Sequence, residues 1–88
     1  MKYSFHSLDE LFQAVRDLMA ALEAKGHAAA AAELREGFSC LNGLTDGWAM
    51  FLDSIERVRR DKSLRLDRED KKALDRIRGD VWKIVYRR

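Results

Sequence analysis

The chain has 88 residues, 47% of them hydrophobic and 36% charged, which makes it one domain with enough apolar surface to fold and excludes intrinsic disorder. It has no proline and is rich in Ala, Leu, Glu, Lys and Arg, a mix that favours helix. A net charge of +2 singles out no partner, and no apolar run reaches the roughly 18–20 residues that a membrane-spanning helix needs.

Residues 1–7 lack the apolar run of a secretion signal. Together with the lone Cys40, which demands no oxidising compartment, this reads as a cytoplasmic protein. Ser7 and Glu10 then spell the Ser-x-x-Glu capping box, in which each side chain satisfies a free amide at a helix start. Leu8, Leu11, Val15, Leu18 and Leu22 follow at spacings of three and four, with Phe12 and Met19 widening the stripe. That pattern is one apolar face of an amphipathic helix over about residues 8–25. Gly26 suits the left-handed turn that ends it.

The second helix is expected over 28–41. It opens with five alanines, Ala28 to Ala32, continues through Leu34, Phe38 and Leu41, and stops at Asn42-Gly43. Leu44 is placed to fold back on Phe38, and Gly37 is an objection worth about 1 kcal/mol. Thr45 or Asp46 caps a third helix over 46–61, whose apolar face is Trp48, Phe51, Leu52, Ile55 and Val58. Its basic end, Arg57, Arg59, Arg60 and Lys62, suits the negative end of the helix dipole. Within it, Glu56 and Arg60 stand four apart, in the favourable order for an ion pair.

Asp67 is a good N-cap for the fourth helix, 67–86, with Glu69 and Asp70 in its first turn and a stripe of Leu74, Ile77, Val81 and Ile84. Residues 81–86 are also rich in β-branched and aromatic types. Paired with residues 2–5 they would give an α+β alternative with a short terminal strand pair. The three-four spacing passes through Gly79 unbroken, so the all-α reading stands first: an antiparallel up-down-up-down four-helix bundle, its connections short enough to make consecutive helices neighbours.

No constellation for catalysis emerges. His6 and His27 flank the first helix and stand roughly 27 Å apart, so they share no metal. No paired-cysteine, His-x-x-x-His or phosphate-cradling glycine spacing is present. Cys40 reads as a small buried hydrophobe. No cofactor, no metal and no enzymatic activity is therefore expected.

Two surfaces remain. Phe12 and Met19 widen one stripe, and Trp82, Val85 and Tyr86 extend another beyond what a bundle seam needs. Extra apolar width on a small domain marks an interface, so the leading expectation is protein–protein interaction, by self-association as a homodimer or as an adaptor. The charge is also uneven: residues 1–44 carry four basic and six acidic groups, a balance of −2, and residues 57–88 carry thirteen and six, a balance of +7. The alternative is thus a nucleic-acid-binding module using Arg59, Arg60, Lys72, Arg76, Lys83 and Arg87, with Trp82 and Tyr86 for stacking. Asp70, Asp75 and Asp80, threaded among these cations, weaken that field.

Overall fold

The computed structural model describes residues 4–41 and 46–86, and four helices account for most of them: α1 (Leu8–Ala24), α2 (Ala28–Ser39), α3 (Gly47–Arg60) and α4 (Arg68–Tyr86). The turn at 42–44, Thr45, Arg87 and, of the alternative strand pair, Lys2 and Tyr3 lie outside the described residues.

Each boundary follows from local chemistry. Ser7 is extended, and its hydroxyl accepts the Glu10 N–H at 3.2 Å. The return half of the box departs from expectation, because Glu10 accepts the N–H of His6, one residue before the cap. At the other end Gly26 adopts φ +84°. His27 N–H bonds to Leu22 O and Gly26 N–H to Glu23 O, the paired bonds that close a helix through a left-handed glycine. Asp67 caps α4 through Oδ1, which accepts the Asp70 N–H at 2.9 Å.

The start of α3 is different. Asp46 occupies the cap position but its side chain makes no capping bond. What fixes this end is contact: a Cβ on Gly47 would run into the Cys40 carbonyl, 2.9 Å from its carbon. The end of α2 and the start of α3 therefore abut backbone to backbone.

α4 runs unbroken through Gly79 to Tyr86. Residues 81–86 are helical, so the strand pairing of the α+β alternative does not form. The reason is burial: Ile77 and Val81 carry the stripe of Leu74 onward into the core on the helical period.

Each helix packs against its chain neighbours, and α1 also packs against α4, closing a ring. Contacting residues run in opposite senses along adjacent helices. Phe12 and Glu23 of α1 meet Phe38 and Arg35 of α2, while Phe38 and Glu33 meet Phe51 and Arg57 of α3. Glu56 and Arg59 meet Arg78 and Asp75 of α4. This arrangement is all-α and compatible with up-down-up-down order.

Leu11, Val15, Leu18, Leu22, Leu34, Phe51, Ile55, Leu74, Ile77 and Val81 fill the centre. Ala30 and Ala31 are buried, and their small side chains let a neighbouring helix come close. Gly37 does the same for α3, since a Cβ there would lie 2.6 Å from that of Ser54 and 3.3 Å from the Phe51 Cα. The glycine that propensity disfavours is thus required by packing.

Candidate interaction surfaces

The antiparallel pairing has a consequence for the aromatic residues. Phe5 precedes α1 and Phe12 lies in its second turn. Phe38 lies in the last turn of α2, Trp48 and Phe51 near the start of α3, and Trp82 and Tyr86 near the end of α4. All of these positions fall at one end of the bundle. The Phe12 ring meets Phe38 edge-on at 5.6 Å and stacks on Trp48 at 6.0 Å, while Phe38 tilts against Phe51 at 5.7 Å. Phe51 is fully buried; Phe12, Phe38 and Trp48 are half-buried. A cavity of about 270 Å³ opens beside Phe12, Phe38 and Leu41.

On α4, Trp82 and Tyr86 are one turn apart with ring centroids 5.0 Å from one another. They remain 38% and 63% exposed. Val85 beside them is half-buried and packs against the core. Met19, expected among the interface residues, is 6% exposed and belongs to the core. α1 is flanked by both α2 and α4, so the arc it buries is wide enough to take Leu18 and Met19 together. Leu8, expected within the stripe, is instead 53% exposed in the first turn.

A latch not expected from the sequence closes this end. Asp80 is 2% exposed, and its two oxygens accept the N–H groups of Ser4 (2.7 Å) and Phe5 (3.0 Å). Arg76 places its guanidinium 4.4 Å above the Phe5 ring and donates to the Ser4 carbonyl at 3.1 Å. The segment before α1 is thereby strapped onto α4, over a cavity of about 260 Å³ that Leu8, Leu11 and Ile84 help to line. The available signal was position: Asp80 is three residues after Ile77 and four before Ile84, on the edge of the buried stripe rather than on the outer face.

Of the basic residues of the nucleic-acid alternative, Arg59, Arg60 and Arg76 are engaged within the chain. Arg59 pairs with Glu56 at 3.1 Å and Asp75 at 3.3 Å, Arg60 with Glu56 at 3.5 Å, and Arg78 also with Glu56 at 2.8 Å. Burial pushes the Glu56 carboxyl up, but hydrogen bonds from Arg78 and Arg59 outweigh it and hold the group below its ordinary value. Arg76 serves the strap. Lys72 is exposed and Lys83 half-buried, both on α4. Arg87 lies outside the described residues.

Similar pairs recur between the other helices. Hydrogen bonds from Lys25 to Asp67 and Asp70 push the lysine up and hold Asp67 down. The Arg57 guanidinium beside Glu33 holds that carboxyl below the usual range, as Arg35 does for Glu23. Cys40 is half-buried at the end of α2, its Sγ 3.5 Å from the Glu36 carbonyl. Among the described residues no three His, Cys, Asp or Glu side chains are grouped to hold a metal, and no helix is long and apolar enough to cross a membrane.

Compared with protein-family models, with curated proteins and with solved structures, the chain matches none. Its function is therefore argued from its surfaces alone.

Proposed function

We propose that this chain is a non-enzymatic interaction protein of the cytoplasm that self-associates through its aromatic end, with Trp82, Val85 and Tyr86 at the centre of the interface and Phe12 at the same end of the bundle. One observation carries the reading. Among the described residues, the large apolar side chains left exposed, Leu8, Met50, Trp82 and Tyr86, lie on the half of the bundle that already holds the aromatic cluster. A tryptophan and a tyrosine packed on one another and open to solvent have the composition of an interface centre, where such side chains dominate binding. Engagement of Arg59 and Arg60 by the chain's own carboxylates, and of Arg76 by the strap, favours this reading over nucleic-acid binding.

Sedimentation velocity across a concentration series tests it. The wild-type chain is expected to pass from monomer to dimer at about micromolar to tens of micromolar. The Trp82→Ser/Tyr86→Ser variant should keep its helical circular dichroism and stay monomeric throughout. A wild-type monomer at every concentration would refute self-association.

A further inference from the structure

At the opposite end of the bundle, the cations are placed differently. Lys62, Arg65, Arg68, Lys71 and Lys72 fall within eleven residues, and none joins an ion pair among the described residues, whereas Lys25, Arg35, Arg57, Arg59, Arg60 and Arg78 all do. Three of the five, Lys62, Arg65 and Lys71, line an open groove of about 610 Å³ between the end of α3, the connection 61–67 and the start of α4.

The floor of the groove is aliphatic. Val58 and Leu74 belong to the core, and Leu64 and Leu66 are half-buried against it. Two carboxylates reach the groove, and both are occupied. Asp61 accepts the N–H and hydroxyl of Ser63 at 3.0 and 2.7 Å, and Asp75 accepts from Arg59. The three cations therefore line a ligand-sized space in which Asp61 and Asp75 are held by Ser63 and Arg59 rather than by them.

The chemistry of the lining selects among anions. No aromatic side chain lines the groove, so a nucleic-acid base finds no stacking platform there. Asp61 and Asp75, which also line the groove, disfavour a dense run of phosphates more than a few separated carboxylates. An aliphatic floor inside a cationic rim matches a chain that carries separated carboxylates and an aliphatic side chain. We propose that this groove binds an acidic peptide segment of a protein partner, its carboxylates pairing with Lys62, Arg65 and Lys71 and an aliphatic side chain covering Leu64 and Leu66. The proposal is independent of self-association, which uses the other end of the molecule.

The probe is a fluorescein-labelled peptide, Glu-Leu-Glu-Asp-Leu-Glu, titrated with the full chain and followed by anisotropy at about 50 mM salt, where screening is modest. Saturable binding is expected. It should weaken about tenfold or more in the exposed-residue variant Arg65→Glu/Lys71→Glu, and by less than about twofold in Lys72→Glu, which lies outside the groove. Replacing both peptide leucines with serine should weaken it about fivefold or more through lost apolar burial. Any of four results would overturn the proposal: no binding at low salt, equal losses from Lys72→Glu and the double reversal, a serine peptide that binds as tightly, or an oligothymidine strand that binds the groove more tightly than the peptide.

Discussion

At one end of the bundle Phe12, Phe38, Trp48 and Phe51 meet ring to ring; toward the other, Lys25 bridges Asp67 and Asp70 and Arg57 holds Glu33. The two regions stabilise the fold in different currencies. Ring contacts add about 0.5–1.5 kcal/mol each beyond the area they bury, while exposed ion pairs contribute about 0–1 kcal/mol. What the pairs supply is order. Glu23–Arg35 joins α1 to α2, Glu33–Arg57 joins α2 to α3, Glu56–Arg78 joins α3 to α4, and Lys25 joins α1 to α4. Every adjacent pair of helices carries at least one complementary contact, so a different arrangement would lose them. Burial holds the helices together, short connections make consecutive ones neighbours, and the ion pairs match that arrangement.

The largest expected effect tests the energetic side of that contrast. Phe51 is fully buried and packs on Phe38. Phe51→Ala should cost about 3–5 kcal/mol in urea unfolding, a large share of the roughly 5–15 kcal/mol that domains have. Arg57→Ala, which removes the solvent-screened pair to Glu33 and a hydrogen bond to Ser54, should cost far less. Comparable losses in the two variants would break the comparison.

An intermediate effect sharpens it at the α2–α3 contact. Gly37→Ala should cost about 1–3 kcal/mol by overpacking, because the new methyl would meet Ser54 and the Phe51 backbone. Adding Ser54→Gly removes the nearest obstruction and should return part of the loss in a double-mutant cycle. No recovery would place the cost of Gly37→Ala elsewhere than in the clash with Ser54.

These residues also mark how far the sequence could be read. The helices were legible to within one or two residues at each end, because caps, stripes and the Gly26 stop are local signals. Met19 and Leu8 were misplaced for a shared reason: periodicity gives the direction of a face, whereas its width and length depend on the partners packed against it. Gly37 registered as a helix penalty since its benefit lies in α3. In sequence Asp80 reads as one acid threaded among the cations of α4, because the amides that it satisfies are 75 and 76 residues away. Glu56 was paired in sequence with Arg60, four residues on; the structure adds the more distant Arg78 at a shorter distance. The aromatic end follows from the sequence only after antiparallel order is imposed on it, since Phe12 and Trp48 are brought together by the fold alone.

The smallest effect separates the two regions by pH. Arginine or lysine partners hold Glu23, Glu33, Glu56 and Asp67 below their ordinary values of 4.5 for glutamate and 3.8 for aspartate. Each folded pKa is lower than its unfolded counterpart, so in acid the unfolded chain binds more protons. The stabilisation is therefore complete above about pH 5 and is lost as pH falls through the lowered folded values. Much of it is screened, because Glu23 and Asp67 are about half exposed. Acidification from about pH 6 to 3.5 at low salt should lower the melting temperature by about 2–5 °C, and by less in about 1 M salt, where the screening length is near 3 Å. Both tryptophans, Trp48 and Trp82, sit at the aromatic end, where no ion pair with a lowered carboxyl intervenes between the rings. Their native emission maximum at room temperature should stay constant across that range while the melting temperature falls. An emission shift that tracks the carboxylate titration would mean that the aromatic end depends on the charged one, and that packing and pairing are not separable in this bundle.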